Sequence, residues 1–168
     1  MHFLGWSHFH SCFWLATFHR VKFVIIGDGQ ARAAIQQQAP ENVVFRGWVP
    51  YAELPSQYQQ ADAAFVLYEF DRHRTVGLSS LKTLEYAASG LPIFSTRAKG
   101  QEFIEANGYG YLVAEEEDVT SAFKIFLAKL SEYKANLLRD QERIRYEGSW
   151  DRAANETLKA LRPLLRSS

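Results

Sequence analysis

The stretch Gly77–Pro92, GLSSLKTLEYAASGLP, is the part of the chain from which the fold is best inferred. Apolar residues recur in it at steps of three and four residues, which predicts an amphipathic helix. These residues are Leu81, Leu84, Ala88 and Leu91. The hydroxyl of Ser79 or Ser80 can cap the helix, because it can accept a hydrogen bond from an otherwise unpaired amide. Gly90 ends the helix, Pro92 bars its continuation, and an apolar strand, PIFST, follows at once.

The start of this predicted helix has the properties of an anion site, because unpaired amides and the positive end of the helix dipole both favour phosphate. Lys82 adds a full positive charge in the first turn, and Glu85 follows with a carboxylate that can accept two hydroxyls. This order suits a nucleoside diphosphate, with its phosphates at the helix start and its ribose one turn along. The alternative is an ordinary capped helix on which Lys82 and Glu85 form an exposed ion pair, worth about 0.2–0.5 kcal/mol.

The composition describes a soluble globular chain of one-domain size, spanning residues 1–168, with 47% hydrophobic residues for its core. The 19 basic and 19 acidic side chains cancel, so there is no bulk attraction for nucleic acid or acidic membranes. Cys12 is the single cysteine, which excludes an internal disulfide and favours a reducing compartment such as the cytoplasm. No stretch approaches the roughly 20 apolar residues of a membrane helix.

Strand-like and helix-like patterns alternate six times along the chain, which is typical of βαβ construction. The predicted strands are His2–Gly5, Val21–Ile26, Asn42–Phe45, Ala63–Tyr68, Pro92–Thr96 and Tyr111–Ala114. Helices are expected over Cys12–Arg20, Gln30–Ala39 and Ala52–Gln60, briefly after Gln101, from Asp118 to Leu130 and on to about Glu147, and over Trp150–Leu165. The predicted class is α/β, a Rossmann-like, mainly parallel sheet of about six strands with helices on both faces. Residues 1–20 form an atypical N-terminal segment, and residues 131–168 form C-terminal helices.

The N-terminal segment carries four of the five histidines. His8, His10 and Cys12 alternate in a way that could hold a metal ion. Zinc sites, however, usually supply four ligands in two spaced pairs. We therefore expect aromatic packing rather than a metal site in this segment.

Loops at the carboxyl ends of parallel strands carry the ligands in sheets of this class. The polar loop Glu69–Val76, EFDRHRTV, directly precedes the central helix, and its Arg72 and Arg74 could contact phosphate or acceptor. The alternative is a solvated, flexible loop. Arg97 opens a second basic loop after the strand Pro92–Thr96. Gly27 begins a Gly-Asp-Gly turn, which is weak evidence for dinucleotide binding and fits a tight turn better.

The helix stretch resembles the donor-binding motif of GT-B glycosyltransferases of the group-1, family 4-like type, in the variant G-F-S-P-L-K-x-x-E-Y-M-A-x-G-x-P. The matching residues are Gly77, Ser79, Leu81, Lys82, Glu85, Tyr86, Ala88, Gly90 and Pro92. Ser80 replaces the usual proline and Ala87 the usual methionine. Weaker similarity extends from about Val21 to Leu130 and includes the V-G-D-G and N-V-x-F-x-G-x-V patterns.

This resemblance implies the C-terminal, nucleotide-sugar-binding half of a glycosyltransferase, which moves a sugar from a nucleoside diphosphate sugar to a hydroxyl acceptor and needs no cofactor. In the family, the loop after the glycine lies against the nucleotide base, so Trp48 and Val49 are candidates for that contact. A hydrophobic plug between loop and helix is the alternative for both residues. The full set of candidate donor-binding residues is Gly27, Trp48, Val49, Arg72, Arg74, Ser79, Ser80, Leu81, Lys82, Glu85 and Arg97.

GT-B enzymes have two Rossmann-like domains with the active site between them, and this chain has room for one. We therefore expect a separate N-terminal acceptor domain or subunit, which would dock on an exposed apolar face of the terminal helices. Many retaining members pair two glutamates eight positions apart, but Gly77 stands eight positions before Glu85. The stereochemistry and the catalytic residues therefore stay open.

Two other functions also stay open. One is a non-catalytic nucleotide or nucleotide-sugar binding module that acts with a separate subunit. The other is a generic flavodoxin-like interaction domain. Peripheral membrane association is compatible with each of them.

Overall fold

The computed structural model describes residues 2–4, 13–68 and 81–165. Its strands are β1 His2–Leu4, β2 Lys22–Ile26, β3 Val43–Gly47, β4 Ala63–Val66, β5 Ile93–Thr96 and β6 Gly110–Val113. They form one sheet in the order β3-β2-β1-β4-β5-β6, and every neighbouring pair is parallel. This is the strand order of a Rossmann fold, in which two halves extend in opposite directions from the centre. The predicted α/β class is confirmed.

The helices connect and follow these strands. They are α1 Arg32–Gln38, α2 Leu54–Gln59, α3 Leu81–Ala88, α4 Phe103–Ala106, α5 Val119–Ala128, α6 Leu130–Arg139, α7 Gln141–Glu147 and α8 Trp150–Leu165. Two 3-10 helices, Phe13–Phe18 and Tyr51–Glu53, replace the α-helical turns expected there from the sequence. Within the described part of the chain, no helix is both long and apolar enough to cross a membrane.

Two hydrophobic cores lie on opposite faces of the sheet. Side chains of one strand point alternately to the two faces, and β2 shows this directly, because Phe23 belongs to one core and Val24 to the other. The first core is covered by the 3-10 helix Phe13–Phe18 and by α5. The second core is covered by side chains of α2, α3, α4, α6 and α7. Helices therefore occupy both faces, as the sequence predicts.

The first core is built from aromatic rings, several of them around Phe123 of α5. The ring of Phe123 lies 4.8 Å from Phe18 and 5.3 Å from Trp14, both edge-on, and 5.1 Å from Phe94 of β5. Edge-to-face pairs at these distances stabilise a core beyond the area they bury. This aromatic packing, together with hydrogen bonds from the Asn42 side chain to the carbonyls of Leu15 and Phe18, holds the 3-10 helix in place. His8, His10 and Cys12 lie outside the described residues.

Helix α3 ends as the sequence predicts. Gly90 adopts φ +74°, the Gly90 amide donates to the carbonyl of Ala87, and the Leu91 amide donates to the carbonyl of Tyr86. These two hydrogen bonds form a Schellman motif, which needs a left-handed residue and therefore favours glycine. The predicted caps Ser79 and Ser80 lie outside the described residues.

The buried face of α3 differs from the predicted one. Thr83, Tyr86 and Ala87 are buried, whereas Leu81 is 69% exposed. The helix lies against β5 and α7, and Leu81 is on the side of its first turn opposite to that of the buried Thr83. The expectation that Leu81 belongs to the apolar, packed face was wrong.

Candidate functional site

The candidate site lies at the carboxyl edge of the sheet. In a parallel βαβ unit the helix runs back against the strands, so α3 starts at this edge, between β4 and β5. The two halves of the sheet diverge between β1 and β4, which is where ligands bind in open α/β sheets. The same edge carries the ends of β2 and β3, with Gly27 and Trp48.

The carboxylate of Glu85, on α3, is held by two tyrosine hydroxyls. Tyr51 donates to Oε1 over 2.9 Å, and Tyr58 donates to Oε2 over 3.1 Å. The hydrogen bond to Glu85 raises the pKa of Tyr51. Burial, and then the negative charge of Glu85, raise the pKa of Tyr58. Both hydroxyls therefore remain protonated donors at neutral pH, and each carboxylate oxygen keeps a further lone pair for a ligand.

Lys82 lies one turn nearer the start of α3 and is not paired with Glu85. Partial burial of its ammonium lowers the pKa of Lys82, although the residue as a whole is exposed, and the charge of Glu85 opposes this effect. Within residues 2–4, 13–68 and 81–165, Lys82 forms no salt bridge, and Glu85 accepts hydrogen bonds from tyrosines instead. The ordinary ion pair, which the sequence left as an alternative, is therefore not formed.

The ends of β2 and β3 are fixed to each other by their backbones. Gly27 has φ 133°, and its amide donates to the carbonyl of Gly47 over 2.7 Å. Gly47 has φ +74°, and a Cβ there would stand 3.0 Å from the guanidinium of Arg32. Both positions therefore favour glycine.

Trp48 and Val49 follow directly after these glycines. Trp48 is 72% exposed, so its indole is not a plug between loop and helix. Val49 is half-buried.

Arg97 lies at the end of β5, where its charge is already compensated. Its Nη2 atom lies 2.8 Å from a carboxylate oxygen of Glu105 and donates to the carbonyl of Leu112 over 3.2 Å. Arg97 thus links β5, α4 and β6. The carboxylate of Glu102 accepts from the amide of Gly100 over 2.7 Å and so closes the loop between β5 and α4.

Several predicted site residues cannot be placed. Arg72, Arg74, Ser79 and Ser80 lie outside the described residues and stay predictions. Among the described residues, no cluster of three or more metal-binding side chains occurs.

Tyr51 and Tyr58 were missed at the sequence level. Each is separated from Glu85 by about 30 positions along the chain. In the sequence, Tyr58 lies on the predicted helix Ala52–Gln60 and Tyr51 lies directly before it, and tyrosines in such positions are equally typical of core packing.

Comparisons with known proteins bear on the family and the fold of the chain. The family model described as "Glycosyl transferases group 1" matches residues 13–131. A search of curated proteins returned no significant match.

Similar solved structures come from several sources. The sucrose-phosphate synthase of Thermosynechococcus elongatus matches with a TM-score of 0.73 and 18% identity, and the match covers 99% of this chain and 46% of the synthase chain. Anabaena HepE, solved in complex with UDP-glucose, has a TM-score of 0.64 and 17% identity, covering 95% and 49%. The pneumococcal O-GlcNAc transferase GtfA, solved with UDP and GlcNAc, has a TM-score of 0.60 and 20% identity, covering 94% and 36%. The chain thus spans less than half the length of each. Because the family model covers most of the chain, the protein belongs to the group 1 glycosyl transferases.

Proposed function

We propose that the chain is the donor-binding domain of a glycosyltransferase, holding a nucleoside diphosphate sugar whose sugar passes to a hydroxyl acceptor. The observation that carries this proposal is the Glu85 carboxylate, fixed at the carboxyl edge of the sheet three residues after Lys82. Two similar structures were solved with uridine nucleotides or a nucleotide sugar, which supports the ligand class.

The residue roles in this proposal follow the order of groups along the site. The backbone of Ser79, Ser80 and Leu81, together with the ammonium of Lys82, would bind the diphosphate. Glu85 would accept from the ribose hydroxyls. The exposed face of Trp48, with Val49 and the backbone around Gly27, would contact the base.

Catalysis would be mainly electrostatic, because the diphosphate leaves with negative charge that a preorganised cation can stabilise. Arg72 and Arg74 remain candidates for this task, with Lys82. Arg97 would first have to break its salt bridge with Glu105, so we assign it a smaller part in stabilising the leaving diphosphate. We propose no metal ion or cofactor for this step.

Transfer would also need an acceptor-binding N-terminal domain or subunit. Each of these similar structures is matched by the chain over less than half of its own length. Large apolar side chains are exposed on the last three helices, and Leu158 of α8 is 54% exposed. We place the complex in the cytoplasm, where a single cysteine stays reduced.

A non-catalytic nucleotide-binding module acting with a separate subunit is the second candidate. It is favoured by Gly77, which stands where many retaining members have a glutamate. Sugar transfer after addition of an acceptor-domain subunit would separate the two candidates, since only the enzyme would turn over.

Nucleotide binding tests the proposal directly. Uridine or guanosine diphosphate at about a hundred times its dissociation constant should add roughly 2.7 kcal/mol to the free energy of unfolding. Glu85→Gln should lose about 1.5–3 kcal/mol of binding, because the amide has one acceptor oxygen and no charge. No thermal shift with either nucleotide at millimolar concentration would contradict the proposal.

A further inference from the structure

We propose that Tyr51 and Tyr58 are positioning residues that fix the Glu85 carboxylate for a cis-diol and so give the site its preference for ribonucleotides over 2′-deoxyribonucleotides. This inference rests on the proposed function. It concerns two hydroxyls that neither the family match nor the sequence pattern assigns to the site.

The argument begins with how the two hydroxyls divide the carboxylate. A carboxylate has about four acceptor sites, two on each oxygen. Tyr51 uses one site on Oε1, and Tyr58 uses one site on Oε2. One acceptor site is left on each oxygen. Two neighbouring hydroxyls of a ribose can each donate to one of these sites, whereas a 2′-deoxyribose fills only one.

The two tyrosines hold the carboxylate in different ways. Tyr58 is 8% exposed, and its ring packs edge-on against Tyr86 of α3 with 5.4 Å between ring centres. Because Glu85 and Tyr86 are neighbours on α3, the Tyr58 hydroxyl stays in register with the carboxylate. Tyr51 is 74% exposed and reaches the carboxylate from the 3-10 helix Tyr51–Glu53.

The combined effect is a carboxylate that cannot rotate freely before the ligand binds. A glutamate side chain on an open helix surface loses rotamer freedom when it is fixed by a ligand. Here that ordering is present in the free protein. A missing 2′-hydroxyl would leave one carboxylate oxygen with an unused acceptor site. The loss of binding free energy is larger for a fixed carboxylate than for one that can rotate to accept a hydrogen bond from water.

Calorimetric titration of four proteins tests the inference. The proteins are wild type, Tyr51→Phe, Tyr58→Phe and, as the matched control, Tyr111→Phe. Tyr111 also donates to a carboxylate at this edge, but its partner is Glu117 at 2.6 Å. The ligands are uridine and guanosine diphosphate, each with its 2′-deoxy form.

We expect wild type to bind the ribonucleotide about tenfold more tightly than the 2′-deoxy form. In Tyr51→Phe and in Tyr58→Phe the ratio should fall to about two- to threefold, mainly through weaker ribonucleotide binding. Tyr111→Phe should keep the wild-type ratio.

An unchanged ratio in both Tyr51→Phe and Tyr58→Phe would overturn the inference while leaving the proposed function in place. Tighter ribonucleotide binding by Tyr51→Phe would also overturn it, because the hydroxyl would then be competing with the ribose. If wild type binds none of the four ligands, the proposed function fails as well. Should Tyr58→Phe unfold, the exposed Tyr51→Phe still decides the question.

Discussion

At the scale of single residues, the candidate site combines a cation, Lys82, that has no salt-bridge partner among the described residues with a carboxylate, Glu85, that accepts two hydrogen bonds. Lys82 forms no salt bridge within the described part of the chain, whereas both oxygens of Glu85 are engaged. A ligand phosphate can therefore meet Lys82 without breaking a contact that the structure describes. A ribose has to share Glu85 with Tyr51 and Tyr58.

Lys82→Met tests the phosphate assignment. The change should weaken binding of uridine diphosphate by about tenfold or more, because it removes a charge-assisted contact. Binding of uridine, which carries no phosphate, should not change. Titration of both ligands, with melting curves alongside, makes the comparison. Wild-type affinity of the variant for the diphosphate would show that the phosphates bind elsewhere.

Gly110→Ala tests the close approach of β5 and β6. A Cβ on Gly110 would overlap the backbone carbonyl of Ile93, its partner in the parallel ladder. Backbone cannot move aside as a side chain can, so we expect a loss of about 3 kcal/mol in the free energy of unfolding.

Gly148→Ala is the control for this change. A Cβ on Gly148 would meet only the carbonyl of Ile144 at 3.4 Å. Urea unfolding should show little change for it. Equal stability of Gly110→Ala and wild type would mean that the two strands are less closely paired than described.

The sequence predicts a site residue only where its position along a single helix or strand is enough to place it. Lys82 and Glu85 could be placed because a helix fixes their spacing. Arg97 could not be interpreted from its charge, since Glu105, eight residues later, neutralises it across the β5–α4–β6 unit. The contacts of Tyr51 and Tyr58 with Glu85 depend on how the 3-10 helix Tyr51–Glu53 and α2 pack near α3, which no local pattern encodes.

At the scale of elements, strands and most helices could be predicted well, and the break at Asp140 within the later helical pattern could not. α8 has the bounds expected from the sequence, Trp150–Leu165. The helix expected from Asp118 to Leu130 ends at Ala128, close to its predicted end, whereas the helix expected to continue to about Glu147 is divided at Asp140. No glycine or proline marks the division at Asp140. At Asp140 the division is stabilised by tertiary hydrogen bonds, which a sequence pattern does not show.

The junction of α6 and α7 is held by one carboxylate. Asp140 accepts from Arg139, from the hydroxyl of Tyr109 at 2.9 Å and from Arg143 at 3.0 Å. Arg143 also donates to the hydroxyl of Tyr109 and to Asn107, so the cluster joins α6 and α7 to the start of β6.

Asp140→Asn should show the contribution of this carboxylate through its pH dependence. The hydrogen bond from Arg139, followed by that from Tyr109, holds the pKa of Asp140 well below its usual range. A carboxyl with a lowered folded pKa stabilises the protein above its unfolded pKa of about 3.9, and the contribution is lost as the pH falls towards the folded pKa.

Wild type should accordingly be more stable than Asp140→Asn at pH 7, and the difference should shrink as the pH is lowered below about 4. Urea unfolding of both proteins at pH 7 and pH 3 measures this. Other carboxylates with lowered pKa values, Glu117 and Asp118 among them, are common to both proteins and cancel. A difference that is constant with pH would exclude an electrostatic role for Asp140.

At the scale of the whole molecule, the proposed function makes residues 1–168 the donor-binding side of a transfer site. We expect the purified chain to bind the donor and not to transfer its sugar at an enzyme-like rate, because no acceptor-binding domain closes over the donor. An assay with a radiolabelled nucleotide sugar and simple hydroxyl acceptors measures this, and slow hydrolysis is compatible with the expectation. Robust transfer by the chain alone would show that a complete site lies within these residues.

The contact between Phe18 and Phe123 has a consequence for how the protein is made. Phe123 is translated about a hundred residues after Phe18, which at bacterial or eukaryotic rates takes roughly 5–20 s. Until α5 leaves the ribosome, the rings of Trp14, Phe18 and Phe94 lack their contacts with Phe123. A nascent chain that ends before α5 therefore presents an aromatic surface to chaperones and to other nascent chains, and premature termination in that interval would yield aggregates rather than a smaller soluble fragment.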